Sequence, residues 1–140
     1  MNFDVKIAKG LENLPKASDV RRKVFIEEQG FVNEFDDIDA RAIHVLISDG
    51  EKPVATGRLF EGNDGWHIGR IAVLSEYRGN RLGEKVMLVL HNYAKQNNIK
   101  EIILSAQVQA SGFYEKLGYI NLADLHMDEN CPHVTMKKIL

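Results

Sequence analysis

Residues 68–83, IGRIAVLSEYRGNRLG, constrain this chain more than any other stretch, because they pass from strand to tight turn to helix within one short run. Ile71 and Val73 sit in an apolar, β-branched segment of the kind buried in a sheet. Arg78, Gly79, Arg81 and Gly83 then bring two glycines and two cations together, and an amphipathic pattern starts at Leu82. That combination suits an anion. Glycine lets backbone N–H groups approach a ligand with no Cβ in the way, and a helix's first turn offers unpaired donors at the positive end of its dipole. A phosphate or pyrophosphate is the natural guest. The string is neither a P-loop, which needs GxxxxGK[ST], nor the GxGxxG dinucleotide fingerprint.

The chain of 140 residues is long enough for one domain with its own core, spanning 1–140. A net charge of −2 argues against a nucleic-acid partner, which would call for a basic surface. The single cysteine, Cys131, cannot form an internal disulfide. No amino-terminal apolar run reads as a signal peptide or membrane span, so a cytoplasmic setting is the expectation.

Taken in order, residues 2–8 alternate as a first strand and 11–29 read as a helix, with Ser18 or Asp19 as its cap. In that helix Val20, Val24 and Phe25 face inward, and Arg21, Arg22 and Lys23 lie on or near the opposite face. Residues 31–41 carry the acids Glu34, Asp36, Asp37 and Asp39 without periodicity. They read as a loop or a short helix over the surface, solvated or able to attract a cationic amine. Strands at 42–48, 53–60 and 66–74 form an antiparallel meander. A helix at 82–96 and a buried strand at 100–107 follow, which makes this strand parallel to the one before the helix. A short helix at 110–117 and two strands, 119–126 and 132–139, complete an α+β chain. Its mixed, mostly antiparallel central sheet has about seven strands, with helices on both faces.

The turn resembles the acyl-CoA-binding motif [QR]xxGx[GA] of the GCN5-related N-acetyltransferase (GNAT) superfamily, with Arg78 and Gly83 at its ends and Arg81 in place of the central glycine. Ala110, Phe113, Tyr114, Lys116, Gly118 and Tyr119 match the superfamily's second signature, AxxFYxKxGY. The segments 24–29, 104–110 and 131–136 resemble a subgroup of small bacterial acetyltransferases, so the likeness covers essentially the whole chain.

This resemblance implies acetyl transfer from acetyl-CoA to an amine by direct attack. It implies pantetheine along Ile71, Ala72 and Val73, and the diphosphate on Arg78, Gly79, Asn80, Arg81, Leu82 and Gly83. It implies Tyr114 as the acid at the leaving thiolate, against the plainer reading of a packed core tyrosine. Many relatives carry a glutamate where this chain has Gly69, which leaves Glu28 and His133 as candidate general bases. Each has a bland alternative, a solvated helix end and a hydrogen-bonded strand histidine. His126, Cys131 and His133 do not have a zinc-site spacing, so no metal is expected. Cys131 reads as a lone loop thiol. A non-catalytic acyl-CoA-binding regulatory module is the alternative function. The oligomeric state is open, a homodimer included.

Overall fold

The computed structural model describes residues 2–32 and 34–140; position 33 of the acid-rich stretch lies outside the described residues. Strands β1 (Phe3–Lys9), β2 (Ile43–Asp49), β3 (Lys52–Gly62) and β4 (Gly65–Val73) form the meander. Helix α2 (Leu82–Gln96) carries the chain to β5 (Glu101–Gln107), and α3 (Ser111–Lys116) leads to β6 (Ile120–Asn121), β7 (His126–Asp128) and β8 (Cys131–Ile139). The sheet runs β1-β2-β3-β4-β5-β8-β6, with β7 also on β8. Every pairing is antiparallel except β4 with β5, which α2 joins.

The sheet has eight strands where about seven are expected. The reason is local: 119–126 is not one strand. Ala123 turns the chain at φ 58°, and the Asp124 carboxylate accepts from the Thr135 N–H at 2.7 Å and its hydroxyl at 2.6 Å. These bonds replace a ladder and leave β6 and β7 as separate short strands.

Alternation along β3 assigns the helices to the two faces of the sheet. Gly57 points at α2, where a Cβ would come within 2.6 Å of both Ile71 Cδ1 and Val86 Cγ1. Arg58, its neighbour, points to the other face, the side of the first helix. Val86, Met87 and Leu90 of α2 are fully buried, with Ile102 and Leu104 of β5 beside them in the core.

The first helix departs from its expected form. Its α-helical part, α1, covers only Ala17–Arg21, and Arg22–Glu28 continues as a π-helix. No side chain caps α1, so neither Ser18 nor Asp19 plays that role. Arg21, expected on or near the outer face, is 1% exposed. Both Val20 and Arg21 turn inward, as do Val24 and Phe25. The wider π turn shifts the phase that a 3.6-residue period assumes.

Candidate active site

A gap in the sheet creates the site. β4 and β5 pair only at Trp66 with Ile102 and His67 with Ile103, so from Ile68 onward the β5-facing edge of β4 has no strand partner. A bulge accounts for the separation. Thr56 pairs with Ala72 and Arg58 with Gly69, which leaves Arg70 and Ile71 opposite Gly57 alone, with Arg70 at φ 53°. An extra residue bends and twists a strand, here away from its parallel neighbour. The cleft that results encloses about 390 Å³ between positions 67–71 of β4 and 104–107 of β5, with Tyr114 and His133 in its lining. Gln29 and Gln107 line both this cleft and a wider basin of about 710 Å³, and their side-chain amides bond each other at 2.8 Å.

At the end of β4 the turn takes the form an anion site requires. Gly79 lies at φ 88° and Arg81 at φ 58°, ψ 28°, the left-handed region, immediately before α2. Arg81 therefore keeps the backbone path a glycine would take, at a cost of about 1–2 kcal/mol. No side chain caps α2, and its first backbone bond runs from Lys85 N–H to Arg81 O at 3.1 Å, so the amides of Leu82, Gly83 and Glu84 remain available as donors. Gly83 keeps this end compact: a Cβ there would stand 3.3 Å from Phe113 Cζ. The two sequence motifs meet at that contact.

Arg78 is already engaged. Its Nη1 and Nη2 donate to the two oxygens of Glu28 at 2.7 and 2.8 Å, and its Nε donates to Val73 O at 3.1 Å. The bidentate bond from Arg78 holds the Glu28 carboxyl below its ordinary range. Glu28 is thus a strut that ties the first helix to the turn, and a weak base.

Tyr114 and Tyr119, five positions apart in one motif, have different surroundings. The Tyr119 hydroxyl and His91 Nε2 share a hydrogen bond of 2.7 Å within the core, and burial pushes that histidine down to about 4. The Tyr114 ring stands edge-on to Phe113 and Tyr119, with centroids 5.0 and 6.0 Å away. Its hydroxyl has no hydrogen-bond partner among the described residues, and burial pushes it up to about 12. It keeps its proton across the physiological range. His133, 7% exposed, donates from Nδ1 to Cys131 O at 2.8 Å, an assignment that leaves Nε2 as an acceptor.

The acid-rich stretch is not a solvated loop. Glu34 and Asp39 are 4% and 6% exposed, and three arginines enclose them. Arg21 donates to Glu34 Oε2 and Asp39 Oδ1, both at 2.7 Å. Arg58 reaches Asp36 at 2.7 and 3.0 Å and Asp39 at 2.8 Å, and Arg70 lies 3.1 Å from Glu34 Oε1. Burial works against the Asp39 anion, yet Arg21 and Arg58 overcome it and hold its pKa at about 2. For Glu34 burial wins and the carboxyl is raised. Phe35 sits under the Arg21 and Arg22 guanidiniums at 4.7 and 5.3 Å. Across the cleft mouth, Val32 N–H donates to Glu129 Oε1 at 3.2 Å, joining this segment to the β7–β8 turn.

The structure thus gathers Tyr114, His133 and Ile71 at one cleft, with the 78–83 turn at the end of the same strand. Glu28 is held apart from that group by its pairing with Arg78. Gly57 and Arg70, which make the bulge, are absent from the sequence-based candidates. A glycine inside a strand is the signal that could have pointed to them, since it marks a bulge or close approach.

The GNAT acetyltransferase domain family matches residues 13–140. The uncharacterized N-acetyltransferase YjcF of Bacillus subtilis (strain 168) is 38% identical over 136 residues, covering 94% of this chain and 96% of that protein. A Lactobacillus plantarum chain of known crystal structure superposes with a TM-score of 0.90 at 26% identity, over 100% of this chain and 99% of its own. An acyl-CoA N-acyltransferase from Pseudomonas aeruginosa shares the fold with a TM-score of 0.86 at 22% identity, over 98% of this chain and 99% of that one. Matched almost end to end by the family's domain and by relatives of its own length, the chain belongs to the GNAT superfamily of N-acetyltransferases, enzymes whose acyl donor is an acyl-CoA.

Proposed function

We propose that this chain transfers an acetyl group from acetyl-CoA to an amine of a small molecule or peptide, by direct attack in the gap between β4 and β5. One observation carries the proposal: Tyr114, whose hydroxyl has no hydrogen-bond partner among the described residues, lines the gap where β4 leaves β5, and the turn after that strand leads to an uncapped helix. The thioester supplies an activated acyl carbon and a leaving thiolate. The unpaired edge of β4 at Ile71, Ala72 and Val73, where Val73 O already accepts from Arg78 Nε, offers main-chain groups to the amide-bearing arm and a donor to the developing oxyanion. The amides of Gly79, Asn80, Arg81, Leu82 and Gly83 receive the diphosphate, and the Arg81 side chain adds charge. Arg78 contributes by fixing the turn through Glu28.

Tyr114 acts on the leaving sulfur. A phenol raised to about 12 is a weaker acid than a thiol of about 8.5, so its role is a hydrogen bond that strengthens as thiolate charge develops, with the proton shared rather than surrendered. His133 Nε2, the spare acceptor in the cleft lining, takes the amine's proton. Mixing the protein with acetyl-CoA and a panel of amines and peptides tests the reading, with free thiol and acetylated amine followed together. Thiol release matched by acetylated product supports transfer. Tight acetyl-CoA binding with no release would point to the regulatory module instead.

A further inference from the structure

Hydrogen-bonding capacity is unevenly distributed across the cleft. On the β3–β4 wall the acceptors are saturated. Glu34 Oε2 takes Arg21 Nε, its Oε1 faces Arg70 Nε, and its main-chain oxygen accepts from Arg21 Nη2 at 2.9 Å and Arg70 Nε at 3.2 Å. Both oxygens of Asp36 and both of Asp39 are likewise taken by arginines. Donors remain. Neither Arg70 Nη atom makes a hydrogen bond among the described residues, the approach of Nη2 to Asp36 Oδ2 being 3.7 Å. Arg58 Nε–H, on a side chain 4% exposed, is buried in the same lining with no acceptor among the described residues. Of the three arginines only Arg70 reaches solvent appreciably, at 27%.

The opposite wall, from β7 and β8, has the reverse surplus. His133 Nε2 and the Asp128 carboxylate are acceptors with no hydrogen-bond partner among the described residues. A ligand that completes both walls presents an oxyanion to β3–β4 and N–H donors to β7–β8.

We propose that the acceptor is a small amino acid whose carboxylate is held by the Arg70 guanidinium, with its amine toward His133. This rests on the acyl-transfer reading above. The bulge places Arg70 at φ 53° in the cleft lining, and Glu34 engages its Nε while the Nη pair makes no hydrogen bond among the described residues.

The experiment uses matched pairs at saturating acetyl-CoA: alanine with ethylamine, leucine with 3-methylbutylamine, phenylalanine with phenethylamine. At least one amino acid should exceed its decarboxylated partner in kcat/KM by about tenfold or more, the worth of a charge-assisted hydrogen bond. Arg70→Met should abolish that ratio, and Arg70→Lys, which keeps the charge but loses the fork, should retain part of it. Melting temperatures of both variants establish that they are folded. If Arg70→Met fails to fold, the wild-type ratio and Arg70→Lys decide the matter. Equal rates within every wild-type pair, or a ratio that survives in folded Arg70→Met, overturns the assignment. Absence of thiol release with all six amines strikes the acyl-transfer reading itself and takes this inference with it.

Discussion

The two sides of the cleft are built from different materials. The side proposed to take the acyl donor, at the end of β4, is backbone: two positive-φ residues, a helix end without a cap, and a strand edge without a partner. The side proposed to take the amine is side chain: Arg21, Arg58 and Arg70 locked against Glu34, Asp36 and Asp39. Backbone donors left open lose little by waiting for a ligand, because water can satisfy them. Buried charges cannot wait. They must be paired within the fold, so the acceptor wall is bound to overall stability in a way the donor wall is not.

The largest expected effect breaks the acceptor side. Asp39→Ala leaves Arg21 and Arg58 short of a buried carboxylate and should cost about 3–5 kcal/mol in denaturant unfolding. A loss of only a few tenths would mean that the arginines find water or another acid. The pH dependence sharpens the same contrast. Asp39 falls from its ordinary 3.8 to about 2 in the fold, so the stability it contributes is complete above pH 3.8 and drains away as pH falls toward 2. His91, lowered from 6.5 to about 4 by burial, acts earlier: the unfolded chain takes up its proton first, and stability declines as pH falls from 6.5 to 4. Unfolding free energy followed by urea titration from pH 7 to 2 should fall through both windows, and Asp39→Asn should flatten the lower one. A smaller effect, on the donor side, concerns ligand rather than fold. Gly83→Leu crowds Phe113 and the uncapped amides, and should weaken CoA by about tenfold, or about 1.4 kcal/mol, in calorimetry. Gly62→Leu, on a distant turn, is its control; equal losses in the two would contradict the placement of the diphosphate.

The turn at 78–83 was legible as local structure because its parts are contiguous. Glycines, arginines and the helix start fall within residues 78–83, and the left-handed Arg81 preserves the path despite the missing glycine. The α2 helix, the parallel β4–β5 pair and the short α3 helix follow from periodicity and spacing, whereas the α3 motif was read from the family resemblance. The acid stretch was opaque because its meaning lies in partners at positions 21, 58 and 70, which no local pattern links to positions 34–39. Arg21 itself was misplaced because the π turn after it breaks the helical period. For Glu28 the deciding contact is Arg78, fifty positions on, so a helix-end acid and a catalytic base look alike in sequence.

The central claim, that the gap between β4 and β5 is where an acyl group leaves CoA, is tested most directly at Tyr114. Its hydroxyl has no structural partner among the described residues, while the neighbouring Tyr119 hydroxyl has one in His91. Tyr114→Phe keeps the ring and its packing and removes only the donor. The account predicts that kcat falls by about 10²- to 10³-fold, with acetyl-CoA affinity and melting temperature unchanged. A kcat within a few-fold of the parent protein, in a folded variant that still binds acetyl-CoA, would contradict it.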